Sequence, residues 1–176
     1  MIRIKPDEIK ILSNYIYNIS GISIDASKAY LLETRFGKIL EEEGCKSYSE
    51  FYHKAKSDAH KVLEKKIINA ITTNETLFFR DNGPFDLLKF KILPDLIDAR
   101  CGGNGTQPGS GELKIWSSAC STGQEIYSIA IVLKELLGSQ SRNRFTLIGT
   151  DLSDAAISQA SAGTYNKFEI ERGLSQ

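Results

Sequence analysis

The sequence predicts an α + α/β chain, in which an N-terminal all-helical domain precedes the first part of a parallel-sheet domain. Three observations predict it. Apolar residues in positions 1–71 recur at spacings of three and four, and no β-alternation interrupts them. From about residue 112 the order becomes strand, helix, strand, helix, the βαβ pattern of a parallel sheet. Between these halves stands "TTNETLFFRD", residues 72–81, a stretch dense in hydrogen-bonding side chains, and a new pattern begins at residue 82.

In the first half, Ile9, Leu12, Ile16 and Ile19 form one helical stripe, opened by Pro6 and Asp7–Glu8 and stopped by Gly21. A second helix is expected from about Ala26 to Glu43, before Gly44. The capping box Ser47-x-x-Glu50 opens a third, and Leu63, Ile67 and Ile71 mark a fourth. "GPFDLLKFKILPDLIDAR" has a helical pattern broken by Pro94. In "CGGNGTQPGSG" five glycines in eleven residues predict a flexible surface loop. These glycines precede a strand, whereas a phosphate cradle needs them after a strand and at a helix start. "ELKIWSSAC" supplies a strand through Trp116, a loop of small residues and then the helix "EIYSIAIVLKELLG" follow, and "RFTLIGT" is the second strand, ending in Asp151. "LSDAAISQASAG" is a further helix, opened by Ser153 or Asp154. Ligands are expected beyond the carboxyl ends of such strands.

Composition narrows the function classes. A chain of 176 residues with 41% hydrophobic content suits one domain or two small ones around a packed core. There is no run of about 18 apolar residues and no apolar signal segment in "MIRIKPDEIK", so a cytoplasmic location without membrane insertion is expected. Cys45, Cys101 and Cys120 are odd in number and widely spaced, which predicts structural or incidental thiols rather than disulfides or a metal site. His53 and His60 read as solvated helix positions, so no metal is expected. Residues 1–70 carry 12 Lys/Arg against 10 Asp/Glu and the remainder reverses that excess, a balance too even for a nucleic-acid partner.

The site-forming segments are "SSACSTGQE", residues 117–125, and Asp151. Small side chains let a ligand approach the backbone, and the N–H groups at a helix start are unpaired donors. With Gly123 as its one glycine the loop is not a G-x-G-x-x-G pyrophosphate binder. Glu125, in the first helical turn, suits either the helix dipole or a cationic ligand group. Asp151, at a strand end, suits either a pair of ribose hydroxyls or a helix cap.

Together "TTNETLFFRD", "WSSACSTGQEIYSIAI" and "GTDLSDAAISQASAGTY", behind a helical domain, resemble the chemotaxis-receptor glutamate methyltransferases of the CheR type, over the chain from end to end. The resemblance implies a Rossmann-like S-adenosylmethionine-binding domain over residues 82–176, a helical domain over 1–71, and a connector over 72–81 that lines the cofactor pocket. It implies cofactor contacts by Asn74, Thr76, Arg80, Glu125 and Asp151, with Arg80 also orienting the acceptor carboxylate. An arginine fork suits the cofactor's carboxylate, a glutamate its ammonium and an aspartate its ribose. Phe78 and Phe79 are expected to seal an interdomain core. The implied partner is the cytoplasmic helical domain of chemotaxis receptors, met by a basic face of the helical domain. Lys28, Arg35 and Lys38 fall within an arc of roughly 80° on the second helix, with Leu31, Leu32 and Ile39 in or beside it. This boundary stripe suits either ordinary solvated charge or receptor contact, and for the latter Arg35 and Lys38 are the implied substrate contacts. A glutamate acceptor is ionised at neutral pH, which accounts for the lack of a Ser-His-Asp or Cys-His set.

Two departures from the family stand out. In "GQEIYS", Gln124 and Ile126 replace an acidic residue followed by proline, which costs some pre-organisation of the first helical turn. The family's catalytic domain also continues beyond the position of Gln176 with later strands, an asparagine-containing strand motif, a late tyrosine and, in some members, a β-subdomain. The expectation is therefore a fragment of a longer chain, or one completed by another chain. The competing expectation is a non-catalytic module that binds a nucleoside or docks a partner.

Overall fold

The computed structural model describes residues 2–101, 113–138 and 145–174, and the glycine-rich stretch after Cys101 lies outside them. The chain divides into two compact units, Met1–Thr73 with Leu152–Asp154, and Asn74–Asp151 with Ala155–Gln176. An all-helical unit and a parallel-sheet unit are the predicted fold classes.

In the first unit, α1 (Pro6–Ser20) has Glu8 at its third position. The buried Glu8 carboxylate accepts from Lys5 N and from Ser49 N, both at 2.9 Å, so one side chain satisfies donors at the starts of two helices. Gly21 ends α1 at φ 75°, and its N–H donates to the Tyr17 carbonyl at 2.8 Å. The second helix differs from expectation at its start. Asp25 accepts from Ser27 N, which tightens Ala26–Lys28 into a 3-10 turn, and α2 proper spans Ala29–Glu42. In α3 (Tyr48–Ser57) Ser47 accepts from Glu50 N at 3.1 Å, but Glu50 reaches back to Lys46 N rather than to Ser47 N. The Asp58 carboxylate accepts from His60 N and Leu63 N and so supplies the cap of α4 (Val62–Ile71). The apolar stripes converge on Leu12, Ile16, Leu32, Phe36, Phe51 and Ile67, all fully buried.

In the second unit α5 (Asn82–Leu87), a π-helical turn (Leu88–Ile92) and α6 (Leu93–Cys101) follow one another directly. The expected break at Pro94 is thus corrected. The π turn immediately upstream widens the helix, where a proline ring would otherwise clash with the carbonyl one turn back. β1 (Leu113–Ser118) and β2 (Phe145–Thr150) pair in parallel from Leu113↔Phe145 to Ser118↔Thr150, joined through α7 (Gln124–Leu137). Leu113 packs with Leu93, Ile129, Val132 and Leu133 on one side of the sheet. The other side presents the register pair Trp116 and Ile148, both exposed. α8 (Asp154–Ala162) and α9 (Lys167–Glu171) follow, α9 opened by the reciprocal capping box of Asn166 and Glu169.

Candidate functional site

The chain leaves β1 through a tight turn in which Ala119, Ser121 and Gly123 all take positive φ, at 58°, 51° and 97°. A left-handed conformation is costly for alanine and serine, and it persists only where surrounding bonds enforce it. Those bonds are present. Cys120 N donates to Thr150 O at 2.9 Å, which extends the sheet ladder into the turn. Ser121 N donates to Asp151 Oδ2 at 2.9 Å, and Ser121 Oγ donates to the Asn74 carbonyl at 2.8 Å. One serine therefore bridges the end of β2 and the start of the 74–81 segment. Ser117 Oγ, at the end of β1, donates to Glu125 Oε1 at 2.8 Å, tying the first turn of α7 to the strand.

The 74–81 segment is pinned a second time. Phe79, at φ 49°, donates its N–H to Ser128 Oγ at 3.0 Å, and Ser128 Oγ donates to the Gln124 carbonyl at 2.7 Å. Within the second unit Phe78 packs on Tyr165 and Phe79 on Phe85. Asn74, Glu125 and Asp151 are thus drawn onto one turn. Thr76 is half-buried. Arg80 is exposed and donates to the Glu75 carbonyl at 3.3 Å, so it joins the others through the backbone of its segment. Burial first, and Asp151 second, push the Cys120 thiol above its ordinary range, which leaves it protonated and suited to packing.

Of the two residues expected to face a receptor, Arg35 is engaged internally. Its guanidinium donates to the Ala70 and Thr72 carbonyls at 3.0 and 2.9 Å and to Thr73 Oγ1, bracing the end of α4. Lys38 is exposed and pairs with Glu42 at 3.7 Å on its own helix. The bridging serines 117, 121 and 128 escaped the sequence reasoning. For Ser117 and Ser121 the signal is the run of small hydroxyl residues in "SSACST", which suits hydrogen bonding as well as ligand access; Ser128 lies within the helical stretch "EIYSIAI" and carries no such signal.

Residues 7–72 match the family model for the CheR methyltransferase all-alpha domain. Residues 74–176 match the CheR methyltransferase SAM binding domain. This chain belongs to the CheR methyltransferase family. It is 38% identical to chemotaxis protein methyltransferase 1 of Pseudomonas aeruginosa and 36% identical to chemotaxis protein methyltransferase Cher2 of Pseudomonas putida, in each case over 92% of this chain and 57% of the relative. It is 33% identical to a chemotaxis protein methyltransferase of Borreliella burgdorferi, over 96% of this chain and 58% of the relative. The CheR-family chain therefore spans a little under three-fifths of the length of these relatives. S-adenosylmethionine is the cofactor of the family domain that residues 74–176 match. Among the described residues, no helix of this CheR-family chain is long and apolar enough to cross a membrane.

Proposed function

We propose that the protein carrying this chain is an S-adenosylmethionine-dependent O-methyltransferase that methylates glutamate side-chain carboxylates in the cytoplasmic helical domain of chemotaxis receptors. The observation that carries this reading is Ser121, which joins Asn74 to Asp151 and so gathers residues 77 positions apart onto one strand-end turn. The donor set fits the cofactor. Asp151 offers a carboxylate at the end of β2 for ribose hydroxyls, and Glu125 offers another at the α7 N-terminus for an ammonium group. Arg80 is an exposed guanidinium suited to a carboxylate, either the cofactor's or the acceptor's.

When bound, the cofactor supplies an electrophilic methyl group on a sulfonium. The acceptor glutamate is ionised at neutral pH and needs no general base, so the protein's task is to hold the two partners in line and exclude water. Asn74, Thr76, Glu125 and Asp151 would hold the cofactor, and Arg80 would orient the acceptor. Lys38 lies on an exposed helix face open to an acidic receptor helix, and Arg35 would support that face from its seat against α4. A cytoplasmic location follows from such a substrate.

The test is transfer of radiolabelled methyl from S-adenosylmethionine to a purified receptor cytoplasmic domain by the full-length gene product. Base-labile label on glutamate is expected. Absence of label, with a folded enzyme and a receptor that a relative can methylate, removes the proposal.

A further inference from the structure

One residue outside the set above touches several parts of the turn. Tyr165, between α8 and α9, donates its hydroxyl to the Thr122 carbonyl at 2.7 Å. A Cβ built on Gly123 would lie 2.8 Å from that same oxygen, so glycine is needed there both for φ 97° and for the close approach. The Tyr165 ring meets Phe78 edge to face, with centroids 4.9 Å apart, and Tyr127 of α7 in the same way at 5.9 Å. Tyr127 in turn donates to the Ala160 carbonyl of α8 at 2.9 Å. Beyond α9 the backbone sits hard against the 74–81 segment, since a Cβ on Gly173 would overlap the Phe78 carbonyl.

We infer that Tyr165 is a positioning residue for the cofactor-binding turn, an inference that rests on the functional reading proposed above. The turn holds two non-glycine residues in left-handed conformations, and such conformations survive only when restrained on more than one side. Asp151 and Asn74 restrain Ser121 from the strand and connector side. Tyr165 restrains the next residue, Thr122, through its carbonyl and packs against Phe78 four residues along from Asn74. The Thr122 carbonyl shares its peptide with the Gly123 N–H, which donates to the Cys120 carbonyl at 2.9 Å, and that carbonyl shares its peptide with the Ser121 N–H. Without the Tyr165 hydroxyl the first peptide can rotate, which loosens the second and the Asp151 carboxylate that its N–H orients. Burial first, then Tyr127 and Glu169, push the Tyr165 hydroxyl up to about 12, so it remains a donor throughout the neutral range.

Tyr165→Phe in the full-length gene product tests this, because it keeps both ring contacts and removes only the hydroxyl. Hydrogen exchange of the peptide covering residues 119–125 is expected to quicken, while α1–α4 are unchanged. The Kd for S-adenosylhomocysteine is expected to rise about two- to tenfold, the loss of one neutral hydrogen bond. The KM for S-adenosylmethionine should follow it, with kcat at saturating cofactor within about twofold, since the residue acts through the turn. Gly123→Ala, which crowds the same hydroxyl from the other side, should move the same readouts in the same direction. Unchanged exchange in the turn, an unchanged Kd, or a loss of protection spread evenly over the second unit overturns the inference and leaves the proposed function standing. Failure of the wild-type protein to bind S-adenosylhomocysteine overturns both, and is distinguished by needing no variant.

Discussion

At Asp151, one carboxylate oxygen already accepts the Ser121 amide at 2.9 Å, so the side chain shapes the turn as well as offering itself to a ribose. Replacing it by alanine should remove both. Asp151→Ala is expected to weaken S-adenosylhomocysteine binding by about 1.5 to 3 kcal/mol, the range for a hydrogen bond to a charged group. Asp151→Asn keeps an acceptor for Ser121 and loses the charge, so it should fall between wild type and alanine. Calorimetric titration of the full-length protein decides, and equal affinity for all three would assign Asp151 to shaping the chain alone. A residue in the helical unit makes an independent prediction. Tyr48 is fully buried, and its hydroxyl has no hydrogen-bond partner among the described residues. Burial pushes that hydroxyl up to about 12, so it stays neutral and its cost is that of an unpaired dipole. Tyr48→Phe should therefore be neutral or stabilising by up to about 1 kcal/mol in denaturant unfolding. A clear destabilisation would reveal a partner for that oxygen.

Among the elements, the helices of the first unit are fastened to one another by a few carboxylates. Glu43, just past the end of α2, takes Lys66 of α4 at 2.7 Å and Lys54 of α3 at 2.9 Å. The hydrogen bonds from Lys66 and then Lys54 hold its carboxyl below the usual range. The folded state thus binds this proton less readily than the unfolded state. The stabilisation is fully present above the unfolded glutamate range and is lost as pH falls through the lowered folded value. Thermal melts should accordingly show the helical unit weakening on acidification below about pH 4, and Glu43→Gln should flatten part of that slope. Both lysines are well exposed, so salt should screen part of the effect. An identical pH profile for the variant would show that the trio contributes nothing measurable. The π turn before Pro94 belongs to this scale too, because the neighbouring turn, rather than the proline alone, decides whether a helix stops.

For the molecule as a whole, the two units differ in how completely they bury what they present. The helical unit turns every stripe inward, whereas among the described residues the second unit has two strands with Trp116 and Ile148 side by side on an open face. A sheet of this size is marginal without further partners. Hydrogen exchange of the 176-residue chain is therefore expected to show the strongest protection in α1–α4 and faster opening of Leu113–Ser118 and Phe145–Thr150. S-adenosylhomocysteine should bind this chain more weakly than the full-length protein. Strands as protected as the helices in a monomeric sample would overturn the expectation.

The helical periods, the Ser47 side-chain cap, the stop at Gly21 and the βαβ order were legible in the sequence, because each depends on residues a few positions apart. Tertiary structure alone decided the rest. Nothing local announces that Glu8 will cap a helix forty residues away, that Arg35 will spend its donors on the end of α4, or that Ser121 will join Asn74 to Asp151. The same holds for Pro94, whose ring is accommodated by a π turn that no period foretells. Periodicity and capping are set by nearest neighbours along the chain. The destination of a hydrogen-bonding side chain is set by which distant backbone groups the packing has left unpaired.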